Sequence, residues 1–161
     1  MIQRIQTIYL LLSVAAIAAM FFFPLAQITG ISEEYFLKVT GIYNSIDQLG
    51  SSYLCLSFFP ISGLLALEII FTLTIIFLYK KRNRQMMLCK LNLLILTVII
   101  AVVFFYADYV ISLTGLPLPK DTLVNYKFTC LLPVISIILN YLAIRAIKKD
   151  DDLVRAADRL R

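Results

Sequence analysis

Histidine and tryptophan are absent from this 161-residue chain, which has only five glycines, three cysteines and 16% charged residues. Each shortage removes a class of chemistry. Without histidine there is no Ser-His or Cys-His pair for nucleophilic catalysis and no imidazole for zinc. Gly30, Gly41, Gly50, Gly63 and Gly115 are too dispersed to form a phosphate-binding loop or a dinucleotide fingerprint. Cys55, Cys89 and Cys130 are widely separated, so the closely spaced thiol pair of a quinone-coupled redox enzyme is missing. The inventory points away from an enzyme, a resident metal or a cofactor.

What the chain has in excess is apolar surface. Hydrophobic residues make up 61% of it, against roughly 45–50% in soluble domains. In water such a chain would expose patches far larger than soluble monomers tolerate, whereas a bilayer is a matching solvent. Four apolar runs, Ile5 to Ala26, Leu54 to Tyr79, Leu88 to Tyr109 and Phe128 to Ile147, each approach the ~20 residues that cross ~30 Å of hydrocarbon. They define an expected all-α membrane protein: a four-transmembrane-helix bundle over residues 1–149 and a tail over 150–161. The connections 27–53 and 110–127 are long and the one around 80–87 is short, which gives two hairpins joined across one face.

Basic residues orient the bundle, because cytoplasmic loops retain Lys and Arg during insertion. Arg4, Lys80, Lys81, Arg82, Arg84, Lys90, Arg145, Lys148, Lys149, Arg155, Arg159 and Arg161 fall on one side, and only Lys38, Lys120 and Lys127 on the other. Twelve against three places both termini in the cytoplasm. It also explains the net charge of +5 without a nucleic-acid partner. A cleaved signal peptide is a poorer reading of the first run, since Pro24 sits two residues before Ala26 and Arg4 is the single basic residue ahead of the run. The segment is expected to remain as the first helix.

Outside the membrane, Glu33 to Tyr43 combines β-branched and aromatic residues with a glycine and predicts a small extracytoplasmic β-hairpin. An isolated hairpin is marginal, so it should lie against the second external loop, Ser112 to Tyr126. On the cytoplasmic side, Asp150, Asp151 and Asp152 suit the N-terminus of a short separate helix. Leu153, Val154, Ala157 and Leu160 then share one face, with Arg155, Asp158 and Arg159 opposite. Such a face either lies on the membrane or packs on itself, or it docks a protein partner or a second copy.

Glu68 is the most informative single residue. It sits in the middle of the second run with no basic residue at comparable depth in any run, and an acid at the bilayer centre costs about 2.5–3.5 kcal/mol on insertion scales. It should therefore face the bundle interior and bond a polar group there. Ser13, Thr97, Ser136 and Asn140 are the candidates, with Ser136 and Asn140, one turn apart on the fourth run, favoured. Glu68 with these residues is interhelical glue, a site for proton or cation coupling, or an incidental acid reaching a water-filled cleft. Cys55 and Cys130, near the outer ends of their runs, are either structural thiols or a disulfide formed in an oxidising compartment.

Three segments carry a resemblance. They are Met1-Ile2-Gln3-Arg4-Ile5-Gln6-Thr7-Ile8-Tyr9-Leu10-Leu11-Leu12, the basic stretch Phe77-Leu78-Tyr79-Lys80-Lys81-Arg82-Asn83-Arg84 with Leu88-Cys89-Lys90-Leu91-Asn92, and the ending Ala143-Ile144-Arg145-Ala146-Ile147-Lys148-Lys149-Asp150 with Leu153-Val154-Arg155 and Ala157-Asp158-Arg159-Leu160-Arg161. In these the chain resembles a family of small membrane proteins from Bacteroidota catalogued only as a domain of unknown function. The resemblance implies a four-helix protein of the bacterial inner membrane and supplies no activity, substrate or cofactor. All three segments adjoin the cytoplasmic face, which is where a shared role would reside.

Overall fold

A computed structural model describes residues 3–29, 34–44, 55–78, 82–114 and 124–159. The chain is mainly helical, with α1 at Gln3–Ala19, α2 at Cys55–Phe77, α3 at Arg82–Thr114 and α4 at Leu132–Arg159. Four short strands accompany them, β1 at Ala26–Thr29, β2 at Glu34–Lys38, β3 at Gly41–Asn44 and β4 at Val124–Tyr126. α1 packs most extensively on α4, and the ring closes through α3 on α4, α2 on α3 and α1 on α2, which leaves α2 and α4 diagonal to each other.

Helix one stops earlier than its apolar run. Pro24 has no N–H and biases Phe23 towards extended backbone, so the helix ends at Ala19, passes through a turn and becomes β1 at Ala26. The expected helix through Ala26 is corrected by that break; an apolar run does not itself distinguish strand from helix. The expected hairpin is present as β2 and β3, paired antiparallel from Tyr35 with Asn44 to Lys38 with Gly41. β1 pairs antiparallel with both β2 and β4, giving a four-stranded sheet in the order β3-β2-β1-β4.

Leu25 ties this sheet to the helices. Its N–H donates to the Leu37 carbonyl at 2.7 Å, and its own carbonyl accepts from Lys127 N–H at 2.8 Å and from the Cys130 thiol at 3.2 Å. On the sheet's inner face Ala26, Ile28 and Leu37 are buried, as is Val39 in the turn between β2 and β3, while on the outer face Gln27 Nε2 donates to Glu34 Oε2 at 2.8 Å. Tyr126 adds a clamp from β4 to α3, its hydroxyl donating to the Phe104 carbonyl at 3.3 Å with the two rings 5.8 Å apart.

The fourth helix runs further than expected. After a 3-10 turn at Phe128–Leu131, α4 continues without interruption to Arg159, so the tail is not a separate helix and Asp150, Asp151 and Asp152 lie well inside one. Neither glycine nor proline follows Ile147 to stop the ladder, and extending a helix costs less than nucleating a new one. Helix three likewise begins at Arg82, six residues before the apolar run, and ends at Thr114.

Two windows, Arg84–Tyr106 and Phe128–Val154, are long and apolar enough to cross a membrane, and 28% and 33% of them are buried within the fold. The core helix of a soluble protein is mostly buried; these are mostly not. The described apolar parts of α1 and α2, Ile5–Ala19 and Ile61–Phe77, are shorter. Leu67, Ile70, Leu94, Phe105 and Ile138 are among the large apolar side chains left exposed around the bundle.

Candidate functional site

Buried apolar residues form two clusters separated along the helices. One contains Ile17, Leu65, Leu96 and Cys130 and extends under the sheet; the other contains Leu10, Ile75, Cys89, Ala143 and Ile147. Between them every helix contributes polar side chains: Ser13 from α1, Glu68 and Thr72 from α2, Asn92 from α3, and Ser136 and Asn140 from α4. All six are at most 2% exposed. The fold is therefore an apolar bundle with one polar layer through its middle.

Hydrogen bonds and single helical turns connect this layer across all four helices. Thr72 Oγ1 donates to Glu68 Oε1 at 2.9 Å, and Asn92 Nδ2 donates to Thr72 Oγ1 at 3.0 Å. Asn92 lies one turn from Cys89, whose backbone carbonyl accepts from Asn140 Nδ2 at 3.4 Å. Asn140 lies one turn from Ser136, whose hydroxyl donates to the Ser13 carbonyl at 3.3 Å. At the bundle's other end Gln85 Nε2 donates to the Ile75 carbonyl at 3.2 Å and fastens the start of α3 to the end of α2.

Glu68, Ser136 and Asn140 thus belong to one layer, but Ser136 and Asn140 are not the hydrogen-bond partners of Glu68. That expectation is corrected by the packing: α4 stands diagonally from α2, so Glu68 reaches along its own helix to Thr72 and towards the neighbouring α3. Thr72 and Asn92 are the site residues that sequence reasoning missed. Thr72 carries a signal, being one turn from Glu68 on the same face. Asn92 does not, because Lys90 two residues earlier marks that stretch as membrane boundary. Thr97, a further candidate, donates to the Leu93 carbonyl on its own helix at 2.9 Å and is exposed.

The layer is incompletely paired. Among the described residues, Glu68 Oε2, Asn92 Oδ1, Asn140 Oδ1 and Ser13 Oγ are buried with no hydrogen-bond partner. No group of three or more Cys, Asp or Glu side chains is placed to hold a metal ion among the described residues. Cys130 is a buried free thiol. The side chain of Cys55, and with it the expected pairing, lies outside the described residues.

On the expected docking face, Leu153 and Val154 are exposed, whereas the Ala157 side chain and Leu160 lie outside the described residues. Arg145, Lys148, Lys149, Asp152 and Leu153 line a groove of about 400 Å3 on α4. A larger apolar groove of about 520 Å3 opens between α2 and α3, lined by Ile61, Leu64, Val98, Val102 and Phe105 among others.

Fold and site together define a mainly helical protein with two long, largely uncovered apolar helices, a small sheet over one end and a buried polar layer. A family model described as "Domain of unknown function (DUF4293)" matches residues 2–160, nearly the whole chain, and the chain belongs to that family. No curated protein matches it.

Proposed function

We propose that the chain is a four-span integral protein of a bacterial inner membrane, with both termini cytoplasmic, that serves as a non-enzymatic scaffold or accessory subunit. The observation that carries the reading is the continuation of α4 past the end of its apolar run at Ile147, as one helix to Arg159. A rigid extension presents side chains without the ordering cost that a flexible tail meets on binding. Leu153 and Val154 are 49% and 41% exposed beside Arg145, Lys148 and Lys149. Two apolar anchors beside three cations and the single carboxylate of Asp152, a net positive lining, suit an acidic, amphipathic protein segment, and the same face is open to a second copy.

Removal of residues 153–161 spares the buried Asp150 and is expected to abolish recovery of a cross-linked partner while the bundle melts as before. The double variant Leu153→Asp, Val154→Asp should do the same, since it replaces both apolar anchors with carboxylates that repel an acidic partner. Identical cross-linked species from all three proteins would remove support for docking.

A second reading, a small proton- or cation-linked transporter or channel subunit using Glu68, is favoured by the unpaired oxygens of the polar layer. Four helices enclose little space, so a pathway would require an oligomer. Flux into liposomes equal to that of empty liposomes would count against it.

A further inference from the structure

The four unpaired atoms of the polar layer are all oxygens, one from each helix: Ser13 Oγ, Glu68 Oε2, Asn92 Oδ1 and Asn140 Oδ1. The two amide orientations follow from their partners. Thr72 has one hydroxyl proton and gives it to Glu68 Oε1, so the Asn92 atom facing Thr72 Oγ1 must be the donor Nδ2, and Oδ1 points elsewhere. Asn140 faces the Cys89 carbonyl, which can only accept, so Nδ2 is turned to it and Oδ1 is again left over. With Glu68 ionised, its carboxylate oxygen and the two amide oxygens cannot satisfy one another, and the single Ser13 hydroxyl proton can pair only one of them. The ionised layer is short of hydrogen-bond donors and positive charge, which a bound cation supplies.

We propose that the layer binds a small monovalent cation of sodium size, with Glu68 Oε2 as the charged ligand and Asn92 Oδ1, Asn140 Oδ1 and Ser13 Oγ as neutral ones. Hard cations take oxygen donors, and this set contains nothing else. One carboxylate neutralises one positive charge. A divalent ion would leave a buried net charge between two apolar clusters, which the low-dielectric interior penalises heavily. Three short links, Asn92 to Thr72 to Glu68, Asn140 to the Cys89 carbonyl and Ser136 to the Ser13 carbonyl, joined by single helical turns, hold these residues in one layer without a basic side chain among them. The inference deepens the cation-linked reading of Glu68, but it concerns binding, which is measured without transport.

The test is thermal unfolding of the purified full chain in nanodiscs, with sodium chloride exchanged for choline chloride at constant pH and ionic strength. A ligand that binds only the folded state raises the melting temperature with its concentration, and a saturable rise of about 3 °C or more is expected with sodium. Glu68→Gln should abolish the rise. Ser13→Ala, a milder change that removes one neutral ligand, should move its midpoint several-fold towards higher sodium. Thr97→Val, at an exposed hydroxyl, should leave it unchanged. Equal melting in sodium and choline would overturn the proposal and leave buried water as the occupant. An undiminished sodium response in Glu68→Gln or Ser13→Ala would also overturn it, by placing the ion elsewhere. Sodium-dependent melting without flux retains the site and removes only the transport reading.

Discussion

Leu37→Asp is expected to eliminate well-folded protein altogether. Leu37 is 1% exposed on the inner face of β2, in the same core cluster as Ile17, Leu65 and Val103, and its carbonyl receives the Leu25 N–H. The substitution forfeits about 1.5–3 kcal/mol of apolar burial. It also places a charge in an apolar cluster, which costs several kcal/mol more. A typical domain has roughly 5–15 kcal/mol in total, so the sum consumes most or all of it. Thr29→Asp, at an exposed position of the same sheet, should be nearly silent, and Leu37→Met should cost less than about 1.5 kcal/mol. Size-exclusion profiles and melting curves of the three variants provide the check. A monodisperse Leu37→Asp protein melting near the parent would show that the sheet is not part of the cooperative core.

Leu67→Lys is expected to depress membrane insertion roughly 100-fold. Leu67 precedes the buried Glu68 but is itself 67% exposed, on the side of α2 turned away from the bundle. If hydrocarbon covers that side, a lysine there costs about 2.5–3.5 kcal/mol, and every 1.36 kcal/mol is tenfold. If water covers it, the substitution is neutral or mildly favourable. The membrane-integrated fraction that resists alkaline extraction distinguishes the two. A Leu67→Lys protein that stays integrated at parental levels would argue that α2 does not cross the bilayer.

Much of the architecture is legible in the sequence because hydrophobic run length and turn residues are local signals. The β2–β3 hairpin announces itself through the β-branched and aromatic residues that run up to Gly41. β1 does not, since Ala26 to Thr29 follows an apolar run directly and only Pro24 marks the break. Its partners β2 and β4 come from two different loops, and such non-local pairing has no local trace. The separate tail helix is corrected for a related reason: aspartates favour a helix N-terminus, but nothing after Ile147 interrupts the helix already under way.

At the site, Glu68 stands out in the sequence as an acid amid apolar residues, and the structure buries it. Its partners are less legible. Depth in an apolar run suggests Ser136 and Asn140, and both do lie in the polar layer, but depth alone does not say which helices are adjacent. The diagonal placement of α2 and α4 decides that, and helix order around a bundle arises from packing of all faces together. Asn92 is obscured by Lys90, whose long side chain can reach a membrane surface while its neighbours remain buried.

Four crossings with both ends inside are tested most directly by cysteine accessibility in intact cells. With Cys55 replaced by serine and the buried Cys89 and Cys130 left in place, single cysteines go in at the exposed positions Thr40, Arg84 and Lys149. A membrane-impermeant maleimide should label the Thr40→Cys protein in intact cells, and the Arg84→Cys and Lys149→Cys proteins only after permeabilisation. Labelling of the Thr40→Cys and Arg84→Cys proteins from the same side would contradict a crossing by α2, and labelling of the Arg84→Cys or Lys149→Cys protein in intact cells would contradict the cytoplasmic orientation.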